Sequence, residues 1–371
     1  MVVHFAGLKS VVDSFVQPLD YHQVNVGGTI NLLRVMGKTG VKKLVFSSSA
    51  SVYGDPSYLP LDEKHPRTPR SPYAKTKYFI EEINHMEKKY NYSNYEYFDS
   101  ENIKNEVASN RYHSGILSKD SYHLNPLKLT YGLAEACLNN NIKIFENSPV
   151  NKIEDKNFEV HIHTNNHIIK SKKIIVACNG YLDDLLGSTR NYFMPINNYI
   201  IATEPIGETL AKKLIKRNCG VIDSRFMIDY YRFSEDYRLL FGGPETITSK
   251  FVKDAKNFVA KRMYKVFPEM QKYKIEFSWG GTLAISINRL PILGYLMNQK
   301  LIYSHAYSGH GLAMSVMAGK LISEKILDKS NRFDMFNQIK HLKIPGGNIL
   351  RRPIYSSAII YYRAIDFLNR L

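Results

Sequence analysis

Short apolar runs, punctuated by Gly, Asn and Pro, alternate along the chain with longer amphipathic stretches. Residues 2–7 read as a short buried strand, and residues 21–37 as a helix with Val24, Ile30, Leu32, Leu33 and Val35 on its apolar positions. Residues 41–49 form a second strand pattern that ends in three serines. Pro72 then opens a further helix at its first turn. Around residues 87–105 the composition shifts toward Lys, Tyr, Asn and Ser, which marks a junction. Beyond it the pattern predicts a helix from Pro126 to about Asn140 and strands at 142–145, 150–154, 158–163 and 173–180. Residues 195–243 are β-rich, with runs at 199–203, 229–233 and 238–243. A helix near 251–266, a strand at 274–279 and a strand at 301–305 complete the reading. The last strand runs into Tyr307-Ser308-Gly309-His310-Gly311-Leu312 and a helix to about Asp328. No internal repeat is found. Residues 351–371 are a basic stretch rich in Ile, Tyr, Phe and Leu, read as a helix packing on the body.

A chain of 371 residues with 44% hydrophobic residues has ample material for more than one core. No run approaches about 20 uninterrupted apolar residues, so no membrane span is expected. The first residues lack the basic leader of a secretory signal. Cys137, Cys178 and Cys219 lie far apart without metal or redox spacing, which fits a reducing cytoplasm. The net charge of +16 comes from scattered lysines. They form no continuous basic stripe with interleaved aromatics, so nucleic-acid binding is not expected. His161, His163 and His167 read as a polar strand face beside a turn, because no convergent fourth ligand is visible.

Two stretches carry chemistry. Tyr73 and Lys77 share one helix face, and a neighbouring ammonium favours the phenolate. Such a tyrosine can exchange a proton with a sugar hydroxyl, and Ser49 at a strand end can share that proton. The second stretch is the strand–glycine turn–helix at Ser308–Leu312. Glycines allow close backbone approach, and the free amides of a helix start favour negative charge.

With these residues in view, residues 2–84 resemble an internal slice of UDP-glucose 4-epimerase, a short-chain dehydrogenase-type enzyme that uses NAD. The runs are His4-Phe5-Ala6-Gly7-Leu8-Lys9, Gly28-Thr29, Phe46 to Asp55 and Ser71-Pro72-Tyr73-Ala74-Lys75. The resemblance makes Ser49 and Tyr73 proton-handling residues, places Lys77 on the nicotinamide ribose and sets Lys9 near the cofactor. Residues from about 110 onward resemble the FAD-dependent D-amino-acid-oxidase-like family, in particular its gamma-glutamylputrescine oxidoreductases. That likeness rests on His123-Leu124-Asn125-Pro126, Ile175 to Tyr181, Ala202-Thr203-Glu204-Pro205 and Asp229-Tyr230-Tyr231-Arg232. It continues in Phe241-Gly242-Gly243, Arg289-Leu290-Pro291, Ser308-Gly309-His310-Gly311 and Pro345-Gly346-Gly347.

What the second resemblance implies is specific. Ser308, Gly309, His310, Gly311 and Leu312 would sit at the pyrimidine end of FAD, Val150 at its adenine end, and Ala177 and Asn179 along the cofactor. His310 and Arg289 are candidates for the reaction site, with Arg289 meeting a substrate carboxylate. Tyr230, Tyr231 and Trp279 would wall the amine substrate. The implied fold class is mixed α/β (α+β): a truncated FAD-oxidoreductase fold, with its β-rich substrate region at about 190–300. A partial Rossmann-like βα fragment precedes it, and the two domains are 1–90 and 91–371. Both resembled families hold their dinucleotide with a glycine-rich turn, and the 371 residues contain neither Gly-x-x-Gly-x-x-Gly nor Gly-x-Gly-x-x-Gly. Three functions follow as expectations: an FAD-dependent amine oxidoreductase behind an epimerase fragment, a sugar-nucleotide isomerase, or a non-catalytic subunit whose partner chain supplies the glycine-rich unit. The first two strands are further expected to extend the sheet at 173–176.

Overall fold

The computed structural model describes residues 1–90 (side chains to 82), 94–225, 228–246, 251–345, 353 and 357. Gly346, Gly347 and the C-terminal stretch, those two positions apart, lie outside the described residues. The chain divides into two compact units: residues 1–122 with 208–219, and residues 123–207 with 220–371. The junction in composition near residue 90 thus falls inside the first unit.

In the first unit β1 (Val2–His4) pairs in parallel with β2 (Leu44–Phe46), Val2 opposite Leu44 and His4 opposite Phe46. β2 is shorter than the sequence pattern, because β1, its sole partner among the described residues, is three residues long. Asn25, buried in the helical stretch between them, holds Leu8 by accepting from its N–H at 2.7 Å and donating to its carbonyl at 2.9 Å. The helix Pro72–Tyr90 starts as its sequence requires, with Ser71 Oγ accepting from Ala74 N–H and Pro72 needing no partner. β3 (Tyr95–Phe98) and β4 (Gly115–Ser118) form an antiparallel pair. The helix Glu208–Leu214 belongs to this unit: Ala108 N–H donates to Leu214 O, and Arg217 bridges Glu96 and Glu106.

The second unit opens with the helix Pro126–Asn139, whose cap Asn125 accepts from the N–H of Leu127 and Lys128. The strand expected at 142–145 is absent. That segment has no strand beside it among the described residues, and its Phe145 side chain lies in solvent. β5 (Val150–Lys156), β6 (Glu159–Thr164) and β7 (Ile168–Ser171) form an antiparallel meander. β8 (Ile174–Val176) is followed by the long β9 (Phe193–Pro205), then by β10 (Val221–Ile222), β11 (Tyr230–Phe233), β12 (Arg238–Thr246) and β13 (Ile275–Ser286). These last five make one antiparallel sheet in the order β10-β11-β12-β9-β13. The helix Ala255–Val266 and the turn behind it cover one face of that sheet, where Tyr199 meets Phe258 and Phe267 meets Tyr231. β14 (Ile292–Leu296) and β15 (Leu301–His305) pair antiparallel, and β15 runs parallel to β8. The expected hybrid sheet does not form: β1 and β2 make a sheet of two, and β8 pairs with β15. A mixed sheet of three packs Val176, Leu301 and Ile292 with Phe193 and Leu186 into one core, and Leu293 and Ile302 with Leu321, Ile322 and Phe333 into another.

Candidate functional site

β15 ends in a turn with an unusual backbone. Ala306, Ser308 and Gly309 have φ of 61°, 52° and 93°, and the first two carry side chains. A left-handed non-glycine residue costs roughly 1–2 kcal/mol, so the turn persists because its neighbours fix it. Asn179 Oδ1 accepts from Ala306 N–H at 3.1 Å. Ser308 N–H donates to Ala284 O at 3.0 Å, and Ser308 Oγ accepts from Ser286 N–H at 3.2 Å. The Tyr307 and Ser304 hydroxyls bond at 2.8 Å inside the protein. The helix Gly311–Ile326 begins here, and its first described i to i−4 bond runs from Met314 N–H to His310 O. The amides of Gly311, Leu312 and Ala313 therefore project from the helix start without an intrahelical acceptor. His310 is exposed and makes no side-chain cap. The arrangement favours negative charge at a group placed against the turn.

Ala177 and Asn179 are brought to this turn, Asn179 by its bond to Ala306 and Ala177 through the groove beside it. The groove encloses about 450 Å³ between β8 and the helix Gly311–Ile326, with Tyr307 and Ser315 at the turn end. Val150 opens β5 and pairs with Thr164, in a different sheet.

The residues expected to wall a substrate fall on two faces of the sheet. Registers place Tyr230, Gly242, Ile200 and Trp279 in one row across the sheet, and Arg232, Leu240, Ala202 and Phe277 in the next. Tyr230 and Trp279 thus share the face opposite the Ala255–Val266 helix. The Tyr230 ring lies over Gly242, where a Cβ would collide with it, and its hydroxyl donates to Asn198 Oδ1. Burial, followed by the nearby Glu245, pushes the Tyr230 phenol up. Tyr231 points the other way. It stacks on Phe241 at 5.2 Å and meets Phe267 edge-on, so it is a core residue and not part of the wall. Arg289 is exposed at φ 61° in the turn between β13 and β14. Arg232 lies on the Tyr230 face, one row further along the sheet. Its half-buried guanidinium donates to Phe233 O at 3.2 Å, faces no carboxylate among the described residues, and is lowered by burial. Strand alternation carried the signal, since Arg232 lies two residues from Tyr230 and so shares its face.

In the first unit Tyr73 and Lys77 are buried on one helix face. Lys77 Nζ donates to Ser47 O at 2.9 Å and lies 4.7 Å from the Phe46 ring centre and 5.9 Å from that of Tyr73. Burial lowers the Lys77 ammonium. The Ser49 hydroxyl bonds Ser51 Oγ at 2.8 Å. His161 pairs with Glu159 and His163 with Glu154, and no cluster of three metal-type ligands occurs among the described residues.

Residues 62–325 match the family of FAD dependent oxidoreductases (DAO), and the chain belongs to that family. Residues 1–116 match GDP-mannose 4,6 dehydratase. Over 291 residues the chain is 33% identical to the gamma-glutamylputrescine oxidoreductase of Escherichia coli, covering 78% of this chain and 68% of that one. A probable oxidoreductase, OrdL, of Haemophilus influenzae is also 33% identical, with 77% and 66% covered. The chain therefore spans about two thirds of the length of these relatives. Over 83 residues it is 61% identical to human UDP-glucose 4-epimerase, covering 22% of this chain and 24% of that enzyme. The crystal structure of glycine oxidase from Geobacillus kaustophilus superposes with a TM-score of 0.62 at 14% identity, covering 73% of this chain and 72% of that one, and so shares the fold. Among the described residues no helix is long and apolar enough to cross a membrane.

Proposed function

We propose that the second unit holds the ring end of FAD and oxidises a CH–NH bond in an amine of the gamma-glutamylputrescine type. The observation that carries this is the Ser308–Leu312 turn, pinned by Asn179 and Ser286 with three helix-start amides facing outward. Bound flavin would supply the two-electron acceptor for the carbon–nitrogen bond. The amides of Gly311, Leu312 and Ala313 favour the negative charge that builds at the ring end. Ala177 and Asn179 lie where a strand end would pass the cofactor. Tyr230 and Trp279 exclude water around the neutral amine, and Arg289, with Arg232, is available to a substrate carboxylate.

The diphosphate has no such cradle among these residues, since the sequence lacks the glycine-rich turn that grips it. A second polypeptide supplying that unit completes the site in this reading. Three free cysteines support a reducing, cytoplasmic setting. Isomerase activity at Tyr73 is not carried forward: Ser49 is turned to Ser51, Lys77 is bonded to Ser47 O, and the match covers 24% of the human enzyme. No NAD role follows for that fragment.

The test is a flavin titration of the full chain, with and without the unmatched third of the Escherichia coli relative. Amine-dependent reduction, followed by loss of flavin absorbance, is measured on the same samples. Quenching of FAD fluorescence and bleaching by gamma-glutamylputrescine are expected. Unquenched FAD in both samples overturns the reading.

A further inference from the structure

We propose that Arg232 reads the substrate's carboxylate, and that this carboxylate lies a long chain away from the carbon–nitrogen bond that is oxidised. The inference rests on the reading above for where the flavin ring sits, and it names the class of amine that the same site takes.

The Arg232 side chain is half-buried on the face it shares with Tyr230 and Trp279. One of its N–H groups donates to Phe233 O at 3.2 Å, and the others have no acceptor among the described residues. A charge held partly out of water is costly unless a counter-charge meets it. The neighbouring partly buried arginines obey that rule: Arg225 pairs with Asp223 and Asp229, Arg262 with Asp229, and Arg238 with Asp236 and Glu276. Arg232 does not, and burial is the one influence that shifts its guanidinium. Glu245, which acts on the Tyr230 phenol, does not act on it. Its flat fork of donors matches a carboxylate and stands open beside two aromatic rings that exclude water.

Its place on the sheet decides which carboxylate. Ala284 O accepts from Ser308 N–H, so the Ser308 turn stands at the Ala284 row of β13. The Arg232 row meets β13 at Phe277, seven residues back, a strand length of roughly 23 Å. Arg232 is also three strands across from β13, roughly 14 Å. Twist and the arginine stem shorten that gap without closing it to a bond or two. Arg289 is placed differently: its N–H donates to Ser286 O, and Ser286 N–H donates to Ser308 Oγ, so it starts beside the turn. A carboxylate on the reacting carbon therefore falls to Arg289 and does not reach Arg232. A carboxylate at the far end of a flexible amine passes the row of Tyr230 and Trp279 and ends at Arg232. The site thus takes an amine with a remote carboxylate in preference to an α-amino acid.

The experiment measures equilibrium binding to the full chain by calorimetry, without FAD. The probes are gamma-glutamylputrescine, whose carboxylate is remote from its primary amine, putrescine, with the same amine end and no carboxylate, and glycine, with the carboxylate beside the amine. Saturable binding of gamma-glutamylputrescine is expected, at least about tenfold tighter than that of putrescine. Arg232→Met keeps an unbranched stem and should bring gamma-glutamylputrescine down to the putrescine affinity, with the circular dichroism melt of the chain unchanged. Arg232→Lys keeps the charge without the fork and should restore part of the difference. Arg289→Met should weaken gamma-glutamylputrescine less than Arg232→Met does. The proposal is overturned if gamma-glutamylputrescine binds no tighter than putrescine, if Arg232→Met leaves its advantage in place, or if Arg289→Met has the larger effect. Competition by glycine that Arg232→Met abolishes also overturns it, since Arg232 would then read a carboxylate on the reacting carbon. Because FAD is left out, a chain that binds the amine as expected and fails to bind FAD sinks the functional reading and not this one.

Discussion

Asn179 Oδ1 accepts the backbone N–H of Ala306 at 3.1 Å, and this bond ties the end of β8 to the left-handed turn after β15. Asn179 is itself left-handed, at φ 48°, so two strained residues hold each other. Asn179→Ala removes the acceptor and leaves a buried N–H unpaired. The loss is about 1–3 kcal/mol, read as a lower midpoint in urea. Asn179→Asp keeps the acceptor and should retain most of that stability.

Tyr231 and Trp279 make a contrasting pair. Tyr231 is buried between Phe241 and Phe267, and Tyr231→Ala should destabilise by about 3–5 kcal/mol, as for other buried aromatics. Trp279 is 44% exposed on the open face, so Trp279→Ala should change stability by less than about 1 kcal/mol while raising the KM for the amine. Urea melts and amine kinetics on the two variants separate the roles.

His305 predicts a pH dependence. It is fully buried between Phe193 and Tyr303, neither ring nitrogen has a hydrogen-bond partner among the described residues, and burial, followed by the charge of His341, lowers it to about 4. Unfolded, the imidazole titrates at its ordinary value of 6.5. Above that value neither state is protonated and His305 contributes no pH dependence. Between 6.5 and 4 the unfolded chain takes up a proton that the folded chain refuses, so stability falls as pH falls. Below about 4 the loss levels off at roughly 3 kcal/mol. His305→Leu should flatten that part of the curve, measured as urea midpoint against pH.

Asp229 is fully buried and bonded by both Arg225 and Arg262. Asp229→Ala removes the buried carboxylate that Arg262 bonds and one of the two that Arg225 bonds, the other being Asp223. The expected cost is about 3–5 kcal/mol, and a soluble but loosened β-rich sheet would show it as a lost near-ultraviolet signal.

Much of this was legible in the sequence where a local rule applied. The caps at Ser71 and Asn125, the alternation of β11 and the glycine turn before the helix Gly311–Ile326 all follow from residue type and spacing. Where a partner was required, the sequence misled. Residues 142–145 have a strand's composition, yet a strand needs a neighbour and the described residues provide none. β1 and β2 have the apolar character of interior strands, yet among the described residues each pairs only with the other. Aromatic residue type alone suggests Tyr231 for the substrate wall as readily as Tyr230, because it does not distinguish the two faces of a strand. Applying the period of two from Tyr230 puts Arg232 on the open face and Tyr231 in the core. The bond between Asn179 and Ala306 spans residues too distant for any motif to reveal.

The most direct measurement is an FAD titration of the wild-type chain and of Gly309→Val, each in the presence of the unmatched third of the Escherichia coli relative. Gly309 sits at φ 93° with open space around it, so valine changes the turn through backbone conformation and not through a clash. Wild type should perturb the flavin spectrum, and the variant should bind at least about tenfold more weakly. Equal FAD affinities for the two proteins would contradict the placement of the flavin ring at this turn.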